Sequence, residues 1–358
     1  MGTRPKHLSK YIGLPALIAF LLVLPSFVHS PYYLDLLISL VVRAVLGMVF
    51  VLLLRAGMIN MGIAAFWGIG AYASVVMVMN LGVPFWAALP LSALVTGLVA
   101  FGVGWILVGS GSSGFGFVVL SAVVGQMFSV VMGSISYVGG YSGRRDVPPP
   151  ESISLPGGHT IAFGVANKAS FYYLALFLLG VIALVLVAVY RSRVGRAWTA
   201  IGLNLRLAES LGVNVFRYRL GVFVVGSAIA GLIGSFYAHY QGFVAPDTFG
   251  MWQNIYFQIY AILGGIGFPI LGSLVGAGLM TMLPEVSRGA VLYAPIIMGL
   301  LLILLVLFLP QGILGIARWR GQIWGVARRL GRKPEPEAVV AAETEGGAES
   351  VSLRSRKP

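Results

Sequence analysis

The sequence predicts an all-α polytopic membrane protein, and three observations carry that class. Hydrophobic residues make up 58% of the 358 positions and charged residues 10%, too few polar groups to cover a soluble globule. Several apolar runs exceed the roughly 18 residues that a bilayer asks of a helix. The basic residues are strongly biased: with the N-terminus placed inside, nineteen of the 24 Lys and Arg fall on the cytoplasmic side. These are Arg4, Lys6, Lys10, Arg55, Arg191, Arg193, Arg196, Arg206, Arg217, Arg219, Arg318, Arg320, Arg328, Arg329, Arg332, Lys333, Arg354, Arg356 and Lys357. Only Arg144, Arg145, Lys168 and Arg288 fall outside, and Arg43 lies within a span. The bias is the positive-inside pattern, and it puts both termini in the cytoplasm.

Taken in order, residues 1–10 form a cytoplasmic N-terminus and a membrane domain occupies 11–310. Its apolar runs read as spans near 11–28, 32–54, 59–80, 84–108, 115–136, 171–190, 219–240, 249–264, 271–287 and 291–309, about ten crossings. The first resembles a signal peptide, but Ser30-Pro31 is a poor cleavage site and the run is long, so an uncleaved helix is expected. Glycines and Pro269 interrupt the stretch 249–287; because the loop at 191–219 and the tail are both arginine-rich, parity requires that stretch to cross twice. The exterior loop 137–170, with Pro148-Pro149-Pro150 and Pro156-Gly157-Gly158, permits turns or a hairpin and no long helix. Residues 311–333 read as a basic amphipathic helix on anionic lipid, with Ile316, Trp319, Ile323, Val326 and Leu330 at helical spacing, and 334–358 as a disordered tail.

The polar residues exclude several chemistries. A net charge of +13 suggests nucleic acid, but the basic residues cluster at helix ends and in one loop, so that partner is not expected. Without cysteine there is no disulfide, thiolate metal site or thiol nucleophile. Ion-driven transporters usually carry ionisable groups deep in the membrane. Here all eleven acidic residues lie at span ends, in loops or in the tail, which also leaves no paired acids for catalysis and no His/Asp/Glu metal cluster. Arg43 reads as a pathway cation or as a structural one paired with Asp35 or with carbonyls; His239 reads as an interfacial hydrogen-bonder more than a ligand.

Small residues concentrate in the third span, among them Gly62, Gly68 and Gly70, and in the eighth and ninth, with Gly264, Gly265, Gly272 and Gly276. Tight helix packing accounts for them. If spans two to five and seven to ten are related halves, these glycine-rich helices also occupy corresponding positions, and paired interruptions mark a substrate path. On that reading the path is drawn from Asn60, Gly68, Gly70, Ser74, Gln126, Asn254, Gln258, Gly264 and Gly265, although each polar group among them equally suits a neighbouring backbone.

Between the sixth and seventh spans, Trp198, Ile201, Leu205, Ala208 and Leu211 recur at three and four residues, beside Arg196, Asn204, Arg206 and Glu209, and Gly212 is placed to end the helix. An amphipathic helix held there either docks in the groove of a cytoplasmic partner or lies on lipid.

These residues bring the chain close to a known family. Gly195-Arg196-Ala197, Ala200-Ile201, Asn204, Ala208 and Leu211-Gly212-Val213-Asn214 resemble the cytoplasmic loop of the LivM-type permease subunits of branched-chain amino acid ABC importers. Phe66-Trp67-Gly68-Ile69-Gly70-Ala71-Tyr72, Tyr237-Ala238-His239-Tyr240, Phe243 to Asp247, Gly264-Gly265-Ile266-Gly267 and Leu309 to Ile313 follow in the family's order, so the resemblance covers roughly 32–320. It implies a multi-pass permease in the plasma (inner) membrane, working with a second related permease, two ABC ATPases and an exterior solute-binding protein. Gly195, Arg196, Ala200, Ile201, Asn204, Ala208, Glu209, Leu211 and Gly212 would then form the ATPase-coupling loop. The chain would hold no cofactor and catalyse nothing; ATP and Mg would sit on the partners, in keeping with the lack of a phosphate loop ending in Lys-Ser/Thr. The solute implied first is a branched-chain or other hydrophobic amino acid. Met58 to Gly62, Gly109 to Gly114 and Gly139 to Asp146 depart from the family pattern, which leaves room for a urea, amide or aromatic-acid relative or a ribose-type sugar permease. A self-sufficient secondary transporter or channel is the reading from another class.

Overall fold

The computed structural model describes residues 30–111, 114–154, 160–164, 167–286, 299–300, 303, 307 and 312–315. Helices α1 (Pro31–Arg55), α2 (Ile63–Leu81), α3 (Phe85–Gly109) and α4 (Phe115–Ser134) come first, then α5 (Lys168–Arg191), α6 (Arg193–Leu203), α7 (Leu205–Ser210), α8 (Val215–Gln241), α9 (Met251–Gly264) and α10 (Pro269–Val286). Six of them, α1 to α5 and α8, are long and apolar enough to cross a membrane; α9 and α10 form a further pair, broken by a 112° bend. The chain is therefore an all-α polytopic membrane protein. The expected span at 11–28, nearly all of 291–309 and 311–333, and the tail 334–358 lie outside the described residues.

Helix ends fall where the local chemistry stops a helix. Pro31 opens α1 with its φ already set and no N–H to satisfy. Its other end carries Arg55 and then Gly57 at φ +68°, which turns the chain out of the helix. The expected third span, 59–80, is corrected at its start: residues 59–62 are not helical, and α2 begins at Ile63. Asn60 is the physical reason, because its Oδ1 accepts from the Gly62 N–H at 2.7 Å and offers the backbone an alternative to helix.

Apolar tails attract helices no less than other helices do, so association in lipid depends on close van der Waals fit between small residues. The described bundle is assembled that way. The middle helix α8 packs along α2 and α3, and α1 packs against α5, α8, α9 and α10. A Cβ added at Gly70 would overlap the Gly231 backbone, and one at Gly234 would overlap the Trp67 carbonyl, so α2 and α8 cross backbone to backbone. A Cβ at Gly264 would overlap Gly272, and one at Gly276 the Tyr260 carbonyl, which brings α9 and α10 together in the same manner.

At one end of the bundle lie Arg55, α6 and α7; at the other lie the starts of α1 and α5 and the long loop between α4 and α5. That loop contains two short 3-10 turns, a strand β1 (Arg144–Arg145) and an antiparallel pair, β2 (Ile153–Ser154) with β3 (Thr160–Ile161). β1 pairs with β4 (Phe243–Val244), which follows α8. After β4 the chain turns inward: Phe249 is fully buried, in ring contact with Trp67 and Tyr72 of α2 and Phe128 of α4. Helix α9 begins with Met251 and Trp252 exposed and turns Asn254 and Phe257 into the bundle.

The crossing makes a direct prediction. Gly234→Ala should destabilise the chain by about 1–3 kcal/mol, read as a lower thermal midpoint in detergent. Gly102→Ala, where an added methyl meets nothing within 4 Å, should stay within about 0.5 kcal/mol of the parent.

Candidate functional site

At the arginine-rich end, the loop expected to form one helix forms two. Asn204 adopts extended backbone (φ −158°), ends α6 and caps α7 by accepting from the Leu207 N–H at 3.1 Å. A side chain that can capture a backbone N–H so close by favours a helix cap over a helix interior. Ser192 and Asn214 cap α6 and α8 in the same way. Gly212, at φ +82°, terminates α7, and the Val213 N–H reaches back to the Ala208 carbonyl at 3.1 Å.

The apolar stripe of this segment divides between two surfaces. Trp198 is buried and donates from Nε1 to the Tyr218 carbonyl at 2.8 Å; Ile201 and Ala208 pack with Val215. Leu205 is partly buried against that same cluster. Leu211, expected on the same face, is instead 75% exposed, as are Leu203 (83%) and Leu207 (57%). The break at Asn204 rotates the second helix, so the inward face is spent on the chain's own helices and a different set of leucines faces outward. Of the other predicted loop residues, Arg196, Ala200, Glu209 and Gly212 are exposed and Gly195 is buried against Val189. The segment is mortised to the bundle at Arg55: a Cβ at Gly202 would overlap the Arg55 carbonyl, and the Arg55 guanidinium lies 4.4 Å from the centre of the Tyr190 ring.

Inside the bundle, the unwound stretch before α2 gathers polar groups. Asn60 and Asn254 are each 1% exposed. Asn254, on α9, accepts from the Ala64 N–H at 2.8 Å, and Ser121, on α4, accepts from the Met61 N–H at 3.0 Å. Gln258, one turn along from Asn254, donates to the Met61 thioether. Asn60, Asn254 and Gln258 thus come together at the start of α2, with Asn60 and Asn254 each satisfying a backbone N–H, and Ser121 joins them.

The remaining path candidates lie apart. Gly68 faces Phe128 and Phe249, Gly70 faces Gly231, and Gly264 and Gly265 sit at the bend between α9 and α10, where Gly312 also packs. Gln126 is exposed on α4 among Val123, Met127 and Val130. Ser74 belongs to a buried chain of polar groups, with its Oγ 2.8 Å from Ser235 Oγ and 3.0 Å from His239 Nε2, while His239 Nδ1 meets the Pro148 carbonyl at 2.7 Å. His239 is therefore a hydrogen-bonding tie between α2, α8 and the long loop.

The charges of the spans are also paired differently from the expected Arg43–Asp35 contact. Asp35 forms a salt bridge with Lys168 and accepts from the Tyr240 hydroxyl at 2.6 Å. Arg43 donates to Thr281 Oγ1 on α10 at 3.0 Å. Asp35, Lys168, Phe171, His239 and Tyr240 line a cavity of about 400 Å³ at the loop end. The pairing of Asp35 leaves no trace in the sequence, where Lys168 is 133 positions away.

A bundle of apolar helices joined through close glycine contacts, with an ordered helical insertion at its arginine-rich end, defines an integral membrane protein of the multi-pass type. The chain belongs to the family described as branched-chain amino acid transport system / permease component, whose model matches residues 32–309. It is 28% identical to the LivM permease protein of the high-affinity branched-chain amino acid transport system of Salmonella typhimurium, over 74% of this chain and 65% of the relative. The LivM protein of Escherichia coli is 26% identical over the same shares, and the Escherichia coli LivH protein 29% identical over 72% of this chain and 86% of the relative. The chain thus spans about 65% of the length of the LivM relatives it matches. No solved structure gives a significant match.

The two faces of the α6–α7 segment should respond differently to truncation. Trp198→Ala should cost about 3–5 kcal/mol and expose the segment to protease, because it empties a buried site. Leu211→Ala should leave the thermal midpoint within the range of ordinary surface substitutions, about 0.5 kcal/mol.

Proposed function

We propose that this chain is a permease subunit of an ABC importer in the inner membrane, moving a branched-chain or other hydrophobic amino acid and catalysing no reaction itself. It works with a second related permease, with two ATPases that bind and hydrolyse ATP with Mg, and with an exterior solute-binding protein. The observation that carries this reading is the construction of the α6–α7 segment. One face is locked onto Arg55 and Tyr218, at the ends of α1 and α8, and Leu203, Leu207 and Leu211 are left exposed on the other. Such a segment can receive a push from a docked protein and pass it to two membrane helices at once.

On this reading the arginine-rich end is cytoplasmic and the chain makes ten crossings, the bent pair α9–α10 counting as two. Nucleotide-driven closure of the ATPases would move α6 and α7, and with them the Arg55–Gly62 connection that leads to the unwound start of α2. The absence of acidic residues from the middle of the described spans supports an external energy source over a coupling ion, since Asp35 is only the fifth residue of α1 and Glu285 the next-to-last of α10.

The test is co-purification and uptake. Replacing both Leu207 and Leu211 with Asp should leave membrane insertion and thermal midpoint unchanged while at least tenfold less ATPase co-purifies and uptake is lost, as expected when exposed apolar anchors of an interface are removed. Glu209→Lys and Gly212→Trp should also weaken ATPase association. Full uptake by all of these variants would remove the segment from the coupling role. Leucine uptake into liposomes holding this chain alone, driven by an ion gradient, would favour a secondary transporter instead.

A further inference from the structure

The start of α2 holds an unusual set of hydrogen-bond donors. The side-chain Nδ2 atoms of Asn60 and Asn254 are both buried and both lack a hydrogen-bond partner. Their orientation is not a matter of choice: each Oδ1 is committed to a backbone N–H, that of Gly62 and that of Ala64 respectively. Flipping either amide would place an NH2 group against a backbone donor, so the unpaired atoms are necessarily donors. Neighbouring Gln258 presents a third amide whose partner is only the weak acceptor Met61 Sδ. A buried donor without an acceptor is destabilising, and one that is retained calls for an explanation, such as a water, an ion or a bound group that supplies the acceptor.

The surroundings specify the chemistry of that group. All these donors collect where α2, a helix of 19 residues, begins inside the bundle, and aligned peptide dipoles make such a start partially positive. Carboxylates of the described spans are engaged elsewhere, Asp35 by Lys168 and Tyr240 and Glu285 by Tyr32. The site is thus rich in donors, free of competing anions and set on a helix interruption, the kind of feature that binds anionic groups of solutes within transporters.

We propose that the Asn60 and Asn254 amides, at the unwound start of α2, form a subsite for the carboxylate of the transported solute. The two amides donate to the carboxylate oxygens while their own carbonyls keep the α2 entry in place. This assignment rests on the permease reading and adds a chemical requirement to it: a solute must bring a carboxylate.

Asn60→Asp and Asn254→Asp are suited to the test, because each keeps an oxygen for the Gly62 or Ala64 N–H and replaces the free donor with an oxygen that repels a carboxylate. In liposomes containing the assembled importer, uptake of L-leucine, L-phenylalanine, urea and ribose is measured for each form. The expected result is wild-type uptake of a carboxylate solute and a fall of about tenfold or more in either variant at subsaturating solute, with ATPase association retained. Undiminished uptake by both variants overturns the subsite and leaves the permease reading intact, as does a wild type that carries only urea or ribose. A wild type that carries none of the four removes the permease reading and the subsite with it. Should the variants fail to assemble, the wild-type complex carrying nitrogen-labelled asparagine decides. Its Asn60 and Asn254 amide resonances should shift with L-leucine and not with L-leucinol, which lacks the carboxylate, and the absence of a shift overturns the proposal.

Discussion

The backbone crossing of α2 and α8 at Gly70, Gly231 and Gly234 is the contact on which the rest of the described bundle depends. Only residues without side chains allow two helices to approach this closely, and in lipid that approach supplies much of the packing energy. Its consequences run in both directions along the helices. Above it, Ser74 is brought within reach of Ser235 and His239; below it, Phe66 meets Phe223 edge to face at 5.2 Å. Because α2 is held so firmly in its middle, its unwound start must find its partners on α4 and α9, and Ser121 and Asn254 provide them.

The two ends of the bundle are built on different chemistry. The loop end is tied by charge and hydrogen bonds: Asp35 joins Lys168 and Tyr240, and His239 joins Ser74 to the Pro148 carbonyl. The arginine-rich end is tied by shape and by backbone carbonyls, with Gly202 on Arg55 and Trp198 on Tyr218. Seven residues, Ala56 to Gly62, separate α1 from α2, and they are gripped at both ends, by Gly202 near Gly57 and by Asn60, Ser121 and Asn254 near Gly62. A short connection held in this way is restrained at both of its ends.

Several of these features are legible in the amino-acid sequence. Hydropathy marks membrane helices because a lipid-exposed backbone must bond within itself over the whole bilayer thickness, so the six described helices long enough to cross lie within about four residues of where composition puts them. Turn chemistry is equally local, and Gly212 ends its helix through its own backbone freedom. The helical period of the 191–219 loop gives an apolar stripe but not the surface that covers it. Asn204 divides the stripe, and the chain's own helices cover Trp198 and Ile201 while Leu211 stays outside.

Composition and the spacing of apolar residues determined by themselves that this is a helical membrane protein, where most of its described helices run and which loop holds an ordered insertion, since those depend on residues within a turn or two of one another. Only the tertiary structure decided that Asp35 pairs with Lys168 and not with Arg43, that Ser74 pairs with His239 at a separation of 165 residues, and that Asn60 and Asn254 face one interruption. Partners of that kind follow from where helices cross, and a crossing is set by the fit of two distant glycine surfaces that no local pattern records.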